Sequence, residues 1–306
     1  MRVVLVTGGT GLLGSAIREV AGEADFVFVG SKDADLTDWD QTWTLFQRHR
    51  PTHVVHLAAR VGGLFANQND PRGFFLDNMS INTNVLEASR KIGADKVVSC
   101  LSTCVFPDGA PLPLKPEDIH RGPPHPSNEG YAYAKRMLEV MSRMYAAETG
   151  RPYVCVIPTN MYGPNDNFNM RDAHVLPALI HRAHLAAASG HPLRIRGTGT
   201  PVRQFLHARD AARMVLDVLD RYEDSTRPLI MADPREVSTR RVGELVAAEY
   251  GIPLQTDDDP AADGQLRKAS LPAVDFFGPC RVTLETGIRE TVAWFEARYP
   301  DGVRGA

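Results

Sequence analysis

Short apolar segments alternate with longer segments of helical periodicity through the first half of the chain. The apolar segments, rich in valine and isoleucine, lie at 2–6, 26–29, 53–57, 96–101 and 153–157, and the helical patterns lie near 12–22, 38–49, 72–92 and 131–149. Such alternation is typical of βαβ units, whose helices cover both faces of a parallel sheet. Strands that are buried on both faces are expected to be continuously apolar, as these are. The sequence therefore predicts an α/β fold with a Rossmann-type, doubly wound parallel sheet.

The pattern changes after about residue 158. Loops rich in proline, glycine and asparagine are expected at 158–173, 189–202 and 253–272, and shorter helices at 174–188, 208–222, 238–250 and 283–299. The last helix places five apolar residues on one face at helical spacing: Leu284, Ile288, Val292, Phe295 and Tyr299. We therefore expect a nucleotide-binding domain over 1–158, with some later segments crossing back to it. A smaller C-terminal α/β region over 159–306 would bind the substrate.

Composition excludes several classes of protein. The 306 residues include 34 basic and 37 acidic side chains, giving a formal charge of −3, so nucleic acid is not an expected partner. No segment approaches the roughly 18 consecutive apolar residues of a membrane span. The first residues lack the pattern of a signal peptide, so a cytoplasmic protein is expected. The four cysteines are too few for a disulfide scaffold and lack zinc-type spacing, so we expect no metal site.

Three glycines follow the first predicted strand at a regular spacing. Gly8, Gly11 and Gly14 lie between that strand and the helix that Leu12 opens. Glycines in such a turn let backbone N–H groups at a helix N-terminus approach a pyrophosphate. The pattern alone also fits an ordinary turn, but the strand before it and the helix after it give it weight. This segment therefore predicts a site for a dinucleotide.

The end of the second predicted strand is where the adenosine ribose of a dinucleotide would be bound. An acidic residue there favours the 2′-hydroxyl of NAD, whereas cations and hydroxyls suit the 2′-phosphate of NADP. The strand at 26–29 leads into Ser31 and Lys32, so NADPH is the expected cofactor. Asp33 follows within the uncertainty of the strand boundary, so NAD stays open. A solvated turn with a surface lysine also stays open.

A tyrosine and a lysine lie four residues apart in the fourth predicted helix. Tyr131 and Lys135 are therefore on one helix face, where the ammonium group would lower the pKa of the phenol and make it a usable acid and base. Ser102 directly follows the predicted strand at 96–101. Because ligands of open α/β sheets bind at the carboxyl ends of strands, Ser102 is expected close to the chemistry.

These motifs occur in the order found in a known family. The matching segments are the glycine turn, His56-Leu57-Ala58-Ala59, and the blocks SKDADLTD (31–38), HLAARVGGLFANQ (56–68), SCLSTCVFPDG (99–109), GPPHPSNEGYAYAKR (122–136), PTNMYGPNDNFN (158–169), AHVLPALIHR (173–182) and GTGTPVRQF (197–205). Together they resemble the GDP-L-fucose synthase family of extended short-chain dehydrogenase/reductases. The resemblance covers roughly residues 2–268. It implies an NADPH-dependent enzyme that converts GDP-4-keto-6-deoxy-D-mannose to GDP-L-fucose by 3,5-epimerisation and 4-reduction. It also implies a homodimer formed through the helices near 72–92 and 131–149.

The resemblance also implies catalytic roles. Ser102 and Tyr131 would hydrogen-bond the C4 carbonyl oxygen, and Lys135 would tune Tyr131 and contact the nicotinamide ribose. Cys104 matches the base of the epimerisation, and His174 matches its acid. Each of the last two has a structural alternative: Cys104 as a small buried apolar residue, and His174 as a residue that caps or packs at the start of a helix.

Binding residues follow from the same resemblance. The cofactor would contact Gly8, Gly11, Leu12, Gly14, Ser31, Lys32, Asp35, Leu57, Ala58, Ala59, Tyr131, Lys135, Pro158 and Asn160. The GDP-sugar would contact Asn160, Arg182, Arg203 and Lys268. Asn160 also fits a turn residue, and Arg182 also fits a solvated helix face.

Two segments depart from the family pattern. Arg196 stands before GTGTP where the family usually has an aromatic residue, and the region after Lys268 is shortened. Both segments belong to the substrate region, and a few pocket contacts can redirect specificity. Another GDP-hexose or a GDP-heptose therefore stays an alternative substrate, including an epimerase that retains its NAD(P). A non-catalytic nucleotide-binding protein is a more remote alternative.

Overall fold

Eleven strands and ten helices are found in the computed structural model, which describes residues 2–21 and 24–306. The strands are β1 Val4–Thr7, β2 Phe26–Val29, β3 His53–His56, β4 Lys96–Cys100, β5 Tyr153–Pro158, β6 Asn160–Tyr162, β7 Leu193–Ile195, β8 Val202–His207, β9 Leu229–Met231, β10 Glu236–Ser238 and β11 Leu254–Thr256. The helices are α1 Leu12–Ala21, α2 Trp39–His49, α3 Leu64–Asn69, α4 Pro71–Ile92, α5 Glu129–Thr149, α6 Val175–Ala188, α7 Ala208–Arg221, α8 Thr239–Glu249, α9 Val274–Phe277 and α10 Leu284–Glu296.

The main sheet contains six parallel strands in the order β2-β1-β3-β4-β5-β9. Side chains of β1 alternate between two cores: Val4 and Val6 pack with α1 and α7, whereas Leu5 packs with α2, α4 and α5. The sheet is therefore covered on both faces, which confirms the predicted doubly wound α/β fold. The predicted strands and helices of the first half are present within a few residues, and the predicted helix end at 22 lies outside the described residues.

The second half builds its own core under two small sheets. Strands β10, β8 and β6 form one sheet and β11 pairs with β7, while α6, α8 and α10 enclose buried apolar side chains. Four of these strands, β6, β7, β8 and β11, start or lie within segments predicted to be loops. Most are three residues long, too short to show an alternating pattern. Two other strands of this half were missed, β9, which belongs to the main sheet, and β10.

The last helix is close to the prediction. Ile288, Val292 and Phe295 are buried on one face of α10, as the spacing indicated. The helix ends at Glu296, earlier than predicted, and Tyr299 packs on Phe295 from beyond the helix end with ring centroids 5.3 Å apart. Within the described residues, no helix combines the length and apolar character needed to cross a membrane. The division into domains at residue 158 stays a prediction.

A buried carboxylate joins the two halves. Asp210 on α7 is 3% exposed, and its Oδ2 accepts hydrogen bonds from the backbone N–H groups of Arg281 (3.0 Å) and Val282 (2.8 Å). Its Oδ1 accepts a bond of 2.8 Å from Arg213. Because α7 packs on the main sheet and Val282 leads into α10, this carboxylate fixes the C-terminal helix relative to the sheet.

Replacing Asp210 should therefore weaken the whole fold. We expect Asp210→Ala to lower the free energy of unfolding by about 2–4 kcal/mol, because one buried and one partly buried backbone donor lose their acceptor. Asp210→Asn keeps one acceptor oxygen and should lose less. Urea denaturation of the two variants and the wild type measures the difference. Equal stability of Asp210→Ala and the wild type would contradict this account.

Candidate active site

A cleft of about 1140 Å³ crosses the carboxyl ends of the parallel strands. Its walls come from the glycine turn after β1, the segments after β2, β3 and β4, the start of α5, and residues 158–174. This edge is where open α/β sheets bind ligands. The cleft is large enough to hold a dinucleotide and a second ligand side by side.

The glycine turn fits a diphosphate. Gly8 has a positive φ of 70°, and a Cβ there would lie 2.8 Å from Ala58 N. A Cβ on Gly14 would lie 2.5 Å from Gly9 Cα. Gly11 and Leu12 line the cleft at the N-terminus of α1, where the first amides have no acceptor within the helix. Backbone donors and the helix dipole at this position favour an anion.

The segment after β2 contributes only part of its predicted contacts. Ser31 and Asp35 line the cleft, whereas Lys32 is exposed outside its lining. Oδ2 of Asp33 accepts a 2.7 Å hydrogen bond from Gly30 N, so this carboxylate closes the turn. Asp33 is therefore engaged with the backbone and is not directed at a ribose in the cleft. Leu57, Ala58 and Ala59, which follow β3, do line the cleft as predicted.

Tyr131 and Lys135 stand together in the cleft wall. The ammonium nitrogen of Lys135 lies 5.8 Å from the centre of the Tyr131 ring and donates a 2.7 Å hydrogen bond to Cys100 O at the end of β4. Burial lowers the pKa of Lys135 and raises the pKa of Tyr131 well above its usual value, so the lowering of the phenol pKa expected from the lysine is wrong for the free protein. In the free protein Tyr131 is therefore a neutral phenol, the form that donates a proton.

Ser102 and Cys104 lie on a tight turn that follows β4. Ser102 precedes the 3-10 turn Thr103–Val105, and its Oγ accepts a 3.4 Å hydrogen bond from Cys104 N. Arg136, 4% exposed, holds this turn by donating 2.7 Å bonds to Val105 O and to Gly122 O. Sequence reasoning missed Arg136, because a buried arginine has the same sequence signal as one on a solvated helix face.

Cys104 and His174 line the same cleft from different elements. Cys104 is 8% exposed, and burial raises the pKa of its thiol, against opposing effects of Ser102, Lys268 and Lys135. His174 precedes α6, and its imidazole forms no capping hydrogen bond, so the helix-capping alternative is wrong. The cleft walls lower the pKa of His174 by desolvation, although the side chain reaches solvent in the open cleft. Thiol and imidazole are therefore both neutral at rest.

The predicted substrate residues divide into two groups. Asn160 and Lys268 line the cleft, as does the predicted cofactor residue Pro158, and Asn160 also donates a 2.8 Å bond to Gln204 O. Arg182 is exposed and bonds to Met170 O at 3.2 Å, outside the cleft lining. Arg203 is likewise outside the lining and donates to Val202 O (2.8 Å) and Gln265 O (2.7 Å). The free protein thus directs neither arginine into the cleft.

Two cleft arginines were missed. Arg60 follows β3 and forms ion pairs of 2.8 Å with Asp70 and 2.9 Å with Asp77. Its position soon after a central strand could have identified Arg60 as a cleft residue from the sequence. Arg304 reaches the cleft from the C-terminal end of the chain, and in the described residues it forms no ion pair within 4 Å. Its neighbour Asp166 is 6% exposed, and burial raises the pKa of that carboxyl to about 7.

The fold and the cleft define the class: a dinucleotide-dependent enzyme with a tyrosine–lysine pair beside the cofactor site. Residues 4–231 match the family described as the NAD dependent epimerase/dehydratase family. The chain therefore belongs to this family and, within it, to the GDP-L-fucose synthase family, which the following relatives show.

Similarity to individual relatives spans nearly the whole chain. A GDP-L-fucose synthase of Dictyostelium discoideum is 43% identical over 97% of this chain and 96% of that protein. A probable GDP-L-fucose synthase of Drosophila melanogaster is 42% identical over 98% of both. The crystal structure of a GDP-L-fucose synthetase from Naegleria fowleri bound to NADP superposes with a TM-score of 0.92 at 41% identity, covering 100% of this chain and 95% of that one.

The charges around Cys104 give a direct test of the site. We expect the rate of Cys104 alkylation by iodoacetamide to rise at higher pH than for an ordinary thiol, because burial raises its pKa. Lys268→Met removes a cation that favours the thiolate, so the pH at which alkylation accelerates should increase by about one further unit. Lys32→Met, which changes an exposed lysine outside the cleft, is the control.

Peptide mass spectrometry separates Cys104 from the three other cysteines. If Lys268→Met left the pH dependence of Cys104 alkylation unchanged, Lys268 would not act on the thiol.

Proposed function

We propose that the protein converts GDP-4-keto-6-deoxy-D-mannose to GDP-L-fucose by 3,5-epimerisation followed by NADPH-dependent 4-reduction. One observation carries the proposal: a single cleft contains the Ser102, Tyr131 and Lys135 constellation, the thiol of Cys104, the imidazole of His174 and a glycine turn suited to a diphosphate. The names of the Dictyostelium and Drosophila relatives support the same reaction. The NADP bound in the Naegleria structure supports the cofactor.

Epimerisation needs a base, an acid and a site for negative charge. The C4 ketone acidifies the protons on C3 and C5, and the Cys104 thiolate would remove each of them in turn. The enolate oxygen would accept hydrogen bonds from the Ser102 and Tyr131 hydroxyl groups, which stabilise the developing charge. His174 would then return a proton to carbon from the opposite face and invert its configuration.

The free protein holds the acid and the base in their neutral forms. Burial disfavours both the thiolate of Cys104 and the imidazolium of His174. Lys268 and Lys135 oppose this effect at Cys104 by favouring negative charge on sulfur. A bound diphosphate adds negative charge to the cleft, which favours protonated His174. Substrate binding would therefore move His174 toward its active, protonated form, while the thiolate of Cys104 depends on Lys268 and Lys135.

Reduction uses the same oxygen site. NADPH, when bound, supplies the hydride equivalent that reduces the C4 ketone. Tyr131 would give its phenolic proton to the C4 oxygen, and the nearby Lys135 cation would stabilise the phenolate that is left. We assign the cofactor contacts to the glycine turn, to Ser31 and Asp35, and to the segments after β3 and β5, all of which line the cleft. These assignments stay predictions.

Substrate recognition is assigned first to residues that already line the cleft. Lys268 and Asn160 would contact the GDP-sugar. Arg182 and Arg203 would need to turn from their present backbone acceptors to reach it. Arg196, a departure from the family pattern, is exposed outside the cleft lining, so that change does not alter the pocket surface. The geometry thus offers no specific support for a GDP-heptose substrate.

Turnover in D₂O tests the proposed reaction. We expect the wild type with NADPH to form GDP-L-fucose that carries solvent deuterium at C3 and C5, as measured by NMR of the product. Cys104→Ser should lose deuterium exchange by about 100-fold or more, because an alcohol is a far weaker base at neutral pH. Cys280→Ser is the matched control, since that partly buried cysteine lies outside the cleft.

Three outcomes would contradict parts of the proposal. Wild-type exchange rates in Cys104→Ser would exclude Cys104 as the base. Epimerised product without NADPH consumption would favour the epimerase alternative. Turnover of a different GDP-sugar, with none of GDP-4-keto-6-deoxy-D-mannose, would change the substrate.

We also infer a homodimer formed through α4 and α5. These two helices pack on each other, and their outer surface exposes Leu76 (52%) and Met144 (64%). Exposed large apolar residues on adjacent helices favour association. Met141 is partly buried and packs against the protein's own core. The cytoplasmic location expected from the sequence stays a prediction.

The dimer proposal predicts a simple change of mass. Met144→Glu introduces a charge on the inferred interface and should shift the protein from dimer to monomer in light scattering after size exclusion. Met170→Glu changes an exposed methionine (41%) away from these helices and should leave the mass unchanged. A monomeric wild type would exclude the dimer.

A further inference from the structure

A second, smaller cavity adjoins Cys104. Its volume is about 30 Å³, and Cys104, Asn128 and Lys268 line both this cavity and the active-site cleft. Asp108 and His125, which are exposed, line its other side. Cys104 therefore borders both the cleft and a small cavity whose wall includes surface residues.

The cavity is polar enough to hold water. Oδ1 of Asn128 is buried without a hydrogen-bond partner. Within the described part of the chain, the half-buried Lys268 forms no salt bridge or side-chain hydrogen bond, and Cys104, Arg203 and Asp108 lie near its ammonium group. Unpaired buried polar groups beside a cavity are typical sites of ordered water. The cavity is large enough to admit a water molecule.

The chemistry of the site, if the proposed function holds, requires Cys104 to act twice. The first epimerisation moves a proton from carbon to the thiolate, while His174 gives its proton to the opposite face of that carbon. Before the second carbon reacts, the Cys104 thiol must lose its proton and the imidazole must gain one. No net proton is consumed, because one leaves to solvent and one enters from it.

The two residues differ in their access to solvent. The His174 side chain is exposed in the open cleft, so it can recover a proton directly. Cys104 is 8% exposed, and a sugar bound for deprotonation would cover its cleft side. Among the groups that face the thiol, Tyr131 is a neutral phenol and Lys135 is bound to Cys100 O, so neither accepts a proton. The thiol needs another route.

We propose that the cavity adjoining Cys104 is the proton exit that restores the thiolate between the two epimerisations. A water held beside Asn128 would accept the thiol proton and pass it toward the surface. His125, whose Nδ1 accepts a 3.2 Å hydrogen bond from Ser127 N and lies 2.8 Å from Ser127 Oγ, would relay it to solvent. Lys268 stabilises the thiolate that is left. Asn128 is thus a positioning residue that acts through water on Cys104, and His125 is the outer proton carrier.

Two variants test the exit route without changing the acid or the base. His125→Gln removes the outer proton carrier, and Ala110→Leu, at a residue of the cavity wall, fills the space. His191→Gln, at an exposed histidine outside both cavities, is the control. Each enzyme is mixed in excess with GDP-4-keto-6-deoxy-D-mannose in D₂O without NADPH, and quenched samples are analysed by mass spectrometry for sugars with one and two deuterons.

The exit route predicts that the two variants slow the second deuteration much more than the first. In the two test variants the first deuteration should stay within about twofold of the wild-type rate, and the second should slow by about tenfold or more. Added imidazole buffer should restore the second step in His125→Gln, since a small base replaces the lost carrier.

If the ratio of the second to the first deuteration rate stayed at the wild-type value in both variants, the exit route would be overturned and the proposed function would stay intact. An equal loss of both steps would also overturn it, because that is the result expected of a structural role. If Ala110→Leu does not fold, His125→Gln with imidazole rescue still decides. A wild type that takes up no deuterium would overturn the proposed function, and the exit route with it.

Discussion

One buried cation holds the catalytic part of the cleft together. Lys135 is 1% exposed, and its ammonium group donates to Cys100 O at the end of β4. The bond fixes α5 against the edge of the sheet, so Tyr131, one helical turn earlier, lies beside the segment that carries Ser102. A buried ammonium group without an acceptor costs free energy, so conformations in which Cys100 O moves away from Lys135 are disfavoured. The position of the C4 oxygen site therefore depends on this contact.

A neutral hydrogen-bond network supports the same arrangement from the sheet. His56 is fully buried, bonded at one ring nitrogen to Thr7 Oγ1 (2.9 Å) and at the other to Asn82 Oδ1 (3.1 Å). Asn82 Nδ2 in turn donates to Ala134 O (3.3 Å) on α5. Burial lowers the pKa of His56 to about 3, so the ring stays neutral at physiological pH. This network of hydrogen bonds fixes the position of the glycine turn after β1 relative to the catalytic helix α5.

Much of the fold around the cleft could be predicted from the sequence, because long periodic segments carry strong signals. The strands and helices of the first half, the glycine turn and the tyrosine–lysine spacing depend on local pattern alone. The short strands β6, β7 and β11 could not be found, since three residues show no period. Arg136 and Arg304 were missed because burial and cleft access of an arginine depend on tertiary packing. For the same reason the sequence placed Arg182 and Arg203 in a site whose lining excludes them in the free protein.

The central claim is that one cleft brings the acid, the base and the oxygen site around a single sugar ring. A crystal structure of the protein with NADP⁺ and GDP-L-fucose tests this most directly. We predict that the hydroxyl groups of Ser102 and Tyr131 contact the C4 oxygen, with Cys104 Sγ and the His174 imidazole on opposite faces of the ring. A sugar bound with both groups on one face, or away from Tyr131, would contradict the account.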